Sequence, residues 1–311
     1  MDPHTLWKTN PPAAYHDWQH RHAVGATRRL FADRSVTQHC AMFERFNRYL
    51  VERGVSVLTF DQAHLEDYLD SVEGASSPGA TTGHRYVKLV DRLCRYLVEV
   101  NLRKTNPAEQ KALHQSWPLD DPNLLYLDED SDALLQAWLQ DDMAPAMESR
   151  ELRDRAIVAL LLGTGITASE LRLSPDAHVS LDPRRPNVLV AKRGGRPERK
   201  VTIAEFAVPA LDRWKTHVGK VDHDALLFPS AENKPISDWT LTHIVKAALN
   251  AIEFNAPEMG PRLLRNTYAR RKLLQGRSDS DVSTLLGLVS LRTVHRIRLT
   301  MPPTMEENCA D

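Results

Sequence analysis

Cysteine is scarce in this chain of 311 residues, which has only Cys40, Cys94 and Cys309. Thiols this few and this scattered exclude a disulfide framework and a thiolate metal site, and they fit a reducing compartment. Cys40 and Cys94 read as filling for apolar helix faces. Long apolar runs are also lacking. No apolar stretch of roughly 18 residues occurs, and no apolar run follows a basic start, so neither membrane spanning nor secretion has support. Net charge is nearly absent too, at -1, which taken alone mildly disfavours a nucleic-acid partner. No metal and no cofactor is expected, and the cytoplasm is the expected compartment.

The chain nevertheless has enough length for two domains, of roughly 100 and 200 residues. Residues 1–30, rich in Pro, His and Arg, have weak periodicity and read as an arm with a short helix around "HDWQHRHAVGATRRLF". Ser35 with Gln38 offers a helix cap. After it, "CAMFERFNRYLVERG" sets Met42, Phe43, Phe46, Tyr49 and Leu50 on one stripe before Gly54. Thr59 with Gln62 marks a second start, and "GASSPGATTG" reads as a loop. "HRYVKLVDRLCRYLVEVN" then repeats Val87, Val90, Leu93, Cys94 and Leu97 at helical spacing. Residues 31–105 are thus expected as an all-helical domain, 106–125 as a linker, 126–300 as a mixed α/β domain and 301–311 as a polar tail. The expected class is mainly α with a small β component.

Charge is segregated along the chain. Residues 119–154 hold eleven acidic residues against Arg150 and Arg153, a pattern that reads as a solvated acidic face. Downstream, "AKRGGRPERK" and residues 262–277 are basic. "NVLVAKRGGRPERKVTI" reads as a β-hairpin whose tip carries Lys192, Arg193, Arg196 and Arg199. Residues 262–276 read as an amphipathic helix with Leu263, Leu264, Tyr268, Leu273 and Leu274 on its apolar side and Arg262, Arg265, Arg270 and Arg271 as cations. Arg262 and Arg265, three apart, can address one phosphate region, for which the planar guanidinium fork is suited. In the N-terminal helix of "HRYVKLVDRL", Arg85, Lys88 and Arg92 share a side, with Arg95 close by. Opposed regions of charge of this kind suit a groove for duplex DNA.

The order of these segments resembles the tyrosine recombinases, or phage integrases, including the Xer-type proteins. "RDRAIVALLLGTGITASELRLSPDAHV" resembles their first arginine box, "VAKRGGRPERKVTI" their lysine hairpin, "PRLLRNTYARRKLLQG" their second box and "STLLGLVSLRTVHRI" the final box that leads to the nucleophile. The resemblance covers about residues 35–300. It implies a helical core-binding domain of SAM-like type and a catalytic-type domain that together clamp double-stranded DNA.

It also implies a site in which a tyrosine attacks the scissile phosphate while two arginines, a lysine and two further residues stabilise charge and move protons. Lys192 and Arg265 match that pattern. Thr167 stands where the first arginine is expected, Arg262 where a histidine opens the second box, and Leu288 where a histidine commonly follows "LLG". Ile297 falls where the tyrosine is expected, and no tyrosine follows Tyr268 in the sequence. His295 lies near that place without restoring the site. An isoleucine cannot form a phosphotyrosyl bond, and removal of a charged donor to a transition-state oxyanion costs several kcal/mol.

The reading that follows is a sequence-specific duplex-DNA-binding protein on a recombinase-like scaffold without its own cleavage activity. It would be an accessory, regulatory or replication-associated factor of a mobile element, in a bacterial cytoplasm and associated with the nucleoid. A partner recombinase, or another protein of the mobile element, is an open possibility. The alternatives are an active recombinase with an unorthodox or partner-supplied nucleophile, and a protein-interaction module that binds no DNA. The short polar tail leads to an expected monomer in solution, with assembly on DNA left open.

Overall fold

The computed structural model describes residues 3–24, 30–74, 82–114, 124–141, 148–193 and 196–301. Residues 75–81 of the "GASSPGATTG" loop, residues 115–123 of the expected linker, the two glycines of the hairpin tip and the tail from residue 302 lie outside the described residues, while Gly74, Thr82 and Gly83 are helical. The chain forms two compact units, Met1–Asn123 and Leu124–Asp311.

The first unit is helical: α1 (Pro3–Thr9), α2 (Pro11–Arg21), α3 (Asp33–Glu52), α4 (Gln62–Gly74), α5 (Thr82–Glu99) and α6 (Glu109–His114). The segment expected as an arm is α1 and α2, and it is built into the core. Trp7, Ala14, Tyr15, Trp18 and Ala23 are buried, and the Tyr15 ring stacks on Phe43 with centroids 4.1 Å apart. Two expected caps are also displaced. Helix α3 starts at Asp33 behind Ala32, which places Ser35 inside its first turn. At α4 it is Asp61 Oδ1, not Thr59, that accepts from the backbone N–H of His64, at 3.1 Å. The expected stripe is present in α5, whose Val87, Val90, Leu93, Cys94 and Leu97 are all fully buried. Part of the expected linker is ordered as α6, which packs on α5 beside the buried Ala108.

The second unit surrounds α8 (Ser149–Thr164), whose residues Arg155 to Thr164 are all buried. Helices α7 (Glu129–Gln140), α10 (Val208–Val218), α11 (Asp238–Ala251) and α12 (Pro261–Leu274) pack on it. Short α9 (Ala168–Arg172) follows α8, and α13 (Asp279–Leu286) and α14 (Arg292–Leu299) close the chain against α12. The strands β1 (Val179–Ser180), β2 (Asn187–Val190) and β3 (Arg199–Thr202) form an antiparallel sheet in the order β1-β2-β3. In the β2–β3 pair Val188 faces Val201 and Val190 faces Arg199, so alternate residues enter the core. The architecture is mainly helical with a small antiparallel sheet, as the sequence pattern predicts. No described helix is long and apolar enough to cross a membrane.

Candidate functional site

The residues of "TGITASEL" turn the chain from α8 into α9. Gly165 takes the left-handed conformation at φ 64°, and a Cβ there would lie 2.5 Å from Tyr268 Cδ1. Only glycine suits both demands. Gly165→Ala adds left-handed strain of about 1–2 kcal/mol to an overpacked ring contact. A loss of about 2–4 kcal/mol in denaturant unfolding is expected, whereas a loss below about 1 kcal/mol would mean that the turn relaxes freely.

Thr167 now has a structural explanation: it is the N-cap of α9. Its Oγ1 accepts from the Glu170 N–H at 3.2 Å, and Glu170 Oε2 accepts from the Thr167 N–H at 2.8 Å, a complete capping box. Glu170, which the sequence reading did not single out although the T-x-x-E spacing signals it, is the hub of the site. Both its oxygens accept from Arg199, each at 3.0 Å, while Arg199 Nε donates to the Leu285 carbonyl at 2.9 Å. The approach of Arg199 depends on Gly287, because a Cβ there would lie 2.6 Å from its Nη1.

Arg199 is therefore not at the hairpin tip as expected. It sits on β3 with its side chain only 8% exposed, since inward alternation along the strand turns it toward the buried carboxylate. Arg265 lies beside this pair and donates to the Gly165 carbonyl at 2.6 Å and the Leu286 carbonyl at 2.7 Å. These bonds satisfy carbonyls left over at the ends of α8 and α13. Burial, offset in part by Glu170 and reinforced by Arg199 and Arg196, pulls the Arg265 guanidinium down to about 10.

Burial pushes the Glu170 carboxyl up, but the bonds from Arg199 and Thr167 and the Arg199 charge outweigh it and hold the group below the ordinary carboxylate range. A depressed folded pKa gives stability that is present above the unfolded value, about 4.3, and is lost as pH falls through the folded one. Glu170→Gln is therefore expected to lower stability at pH 7 and to flatten its decline below about pH 4.3. An unchanged acid profile in urea titrations would show that Glu170 does not carry this linkage.

Two further cations of the basic helix have carboxylate partners. Arg271 makes a bidentate pair with Asp132, at 2.6 and 2.8 Å, and Arg270 Nη2 donates to Glu129 at 3.1 Å. Part of the acidic block is thus paired with α12 rather than solvated, because α7 packs close enough for its first-turn carboxylates to reach these guanidinia. Asn266 is buried and donates to the Leu125 carbonyl at 2.9 Å.

Lys192, Arg193 and Arg262 are exposed, and Arg196 is intermediate, with its Nη1 3.9 Å from Glu170. Arg193 Nη1 donates to the Ser169 carbonyl at 3.1 Å, which ties the hairpin to α9. Lys192 and Arg193 line one cleft of about 260 Å³ with Ser169, Glu170 and His178. Thr167, Arg262 and Arg265 line a second, of about 360 Å³, with Ala168, Asp238, Thr242 and Pro261. In the first unit Arg85 and Lys88 are exposed on α5, whereas the Arg92 guanidinium lies 4.7 Å above the Phe31 ring.

At the remaining positions the side chains belong to the core. Ile297 on α14 is fully buried and Leu288 is packed against the same cluster. His295 Nδ1 is 3.6 Å from Asp279, which also accepts from Arg298. Tyr268 is 1% exposed, and burial raises its hydroxyl to about 12. No group of His, Cys, Asp and Glu suited to a metal ion occurs among the described residues.

The Phage integrase family profile matches residues 129–298, which run from α7 to α14. The chain belongs to the phage integrase family. It is similar to a tyrosine recombinase XerC of Staphylococcus saprophyticus, 26% identical over 276 residues and 86% of each chain. Similarity to a tyrosine recombinase XerD of Yersinia pestis is 28% over 254 residues and 79% of each. Among solved structures, XerH recombinase bound to palindromic difH substrate shares the fold of this integrase-family chain, with a TM-score of 0.69 at 16% identity over 91% of this chain and 80% of that one. The Tn1549 transposon integrase with circular intermediate DNA gives 0.66 at 14% identity, covering 100% of this chain and 98% of that one.

Proposed function

We propose that this protein binds duplex DNA at a defined sequence without cleaving it, as an accessory, regulatory or replication-associated factor of a mobile element in the bacterial cytoplasm. The observation that carries this reading is Ile297. An apolar, fully buried side chain occupies the position where the resemblance places the attacking tyrosine. Thr167 supports it, because a short neutral hydroxyl committed to a helix cap cannot supply a guanidinium. In this reading Lys192, Arg193, Arg196 and Arg262 are the phosphate contacts of the second unit, and Arg85 and Lys88 are candidates in the first. Arg199, Arg265, Arg270 and Arg271 act mainly by holding that surface in place. Phosphate contacts position the protein, and base contacts supply the sequence preference.

A second reading is favoured by the comparisons. Proteins named as tyrosine recombinases align over most of their length with this chain, so a recombination enzyme with an unorthodox or partner-supplied nucleophile is the alternative.

The test is selection from a pool of random duplexes, followed by titration of the recovered site at several salt concentrations. A single recovered motif with salt-dependent affinity is the expected result, and recovery of no duplex would overturn the reading. Lys192→Ala combined with Arg193→Ala is expected to make the log–log salt slope shallower by roughly one to two, since each phosphate contact contributes about 0.9. An unchanged slope would place the hairpin away from the DNA.

A further inference from the structure

Trp239 is the most exposed tryptophan among the described residues, at 69%, and follows Asp238 at the start of α11. Its ring stacks on that of His243 one turn later, with centroids 4.1 Å apart and planes inclined by 30°. The imidazole covers one indole face, and the high exposure leaves the other open. The helix beneath is anchored: Ser237 Oγ accepts from the Thr240 N–H at 2.9 Å, and Arg172 donates both to Asp238 at 2.8 Å and to the Ile236 carbonyl. Asp238 and Thr242, four apart on the helix face next to that of Trp239, line the 360 Å³ cleft with Arg262 and Arg265.

An open aromatic face beside a guanidinium-lined cleft is what a nucleotide requires, with phosphate against the cations and a base on the ring. An apolar protein segment would use the indole and leave the adjoining cations unmatched. In an intact duplex each base is already stacked on both faces, so only a base displaced from the helix can use the platform. We infer that Trp239, backed by His243, is a stacking platform for an unpaired nucleobase next to a backbone phosphate held by Arg262, with Arg265 fixed behind it by its bonds to the Gly165 and Leu286 carbonyls. This surface then favours DNA with a displaced base over continuous duplex. The inference rests on the DNA-binding reading above.

The test titrates the full chain with the selected duplex and with the same duplex carrying a one-nucleotide bulge, using wild type, Trp239→Ala, Trp239→Phe and Arg262→Ala. Trp239 is exposed, so its replacements are expected to fold normally, which circular dichroism checks. The wild type is expected to bind the bulged DNA more tightly. Trp239→Ala is expected to lose roughly 5- to 100-fold on bulged DNA, the size of a base–aromatic stacking contact, with less than about a two-fold change on the intact duplex. Trp239→Phe is expected to keep most of the preference, and Arg262→Ala to weaken both complexes together. Equal affinity of the wild type for the two DNAs, or equal losses on both for Trp239→Ala, would overturn the platform while leaving DNA binding standing. Failure of the wild type to bind either DNA would overturn the DNA-binding reading as well.

Discussion

Arg271→Ala is expected to destabilise the protein by about 3–5 kcal/mol, the cost of removing one partner from a buried ion pair. The pair is 15% and 11% exposed on its two sides, and Arg271 also donates to the Leu162 carbonyl at 3.2 Å and lies 5.0 Å from the Phe206 ring. Truncation leaves the Asp132 carboxylate without its guanidinium between α7 and α12. Replacement of both partners, Arg271→Met with Asp132→Leu, is expected to cost much less, because no unpaired charge is then buried. Urea unfolding of the two variants decides the matter. If Arg271 were instead a free phosphate contact, Arg271→Ala would change stability by less than about 0.5 kcal/mol and weaken DNA binding.

The same pair marks a limit of sequence reasoning. The composition of residues 262–277 identifies a cationic helix, and its leucines identify the buried side. A cation facing DNA cannot be told from one facing a carboxylate that enters from α7, more than a hundred residues earlier (the separation is 139 for Arg271 and Asp132). Arg199 poses the same difficulty at shorter range, since only the register of β2 with β3 shows that it points inward to Glu170. Local signals fared better. The apolar repeat of α5 and the hairpin both follow from side-chain period and turn chemistry. Of the first two helices only a short helical segment overlapping α2 is legible in the sequence, because their buried residues are well-spaced aromatics among prolines and histidines. Their order comes from tertiary contacts such as Tyr15 on Phe43. Thr167 is a case in which the resemblance and the local geometry meet at one residue: the side chain that stands where an arginine is expected is the cap of α9.

The central claim, binding without cleavage, leads to an all-or-none expectation. Loss of the attacking group is not graded as loss of a stabilising contact is, and none of residues 269–311 is tyrosine. Tyr268 is a poor substitute. Its hydroxyl is raised to about 12 by burial and its ring is clamped against Gly165. Burial also holds Ile297 and Leu288 in the core that α14 completes, so this region serves packing.

The most direct measurement is covalent trapping on a suicide duplex that carries the selected site, with wild type and Tyr268→Phe in parallel and no partner protein present. Measurable duplex binding with no protein–DNA adduct from either chain is the expected result. An adduct formed by the wild type would contradict the account. Its loss in Tyr268→Phe would assign the bond to that tyrosine, and its persistence would assign it to another nucleophile of this chain.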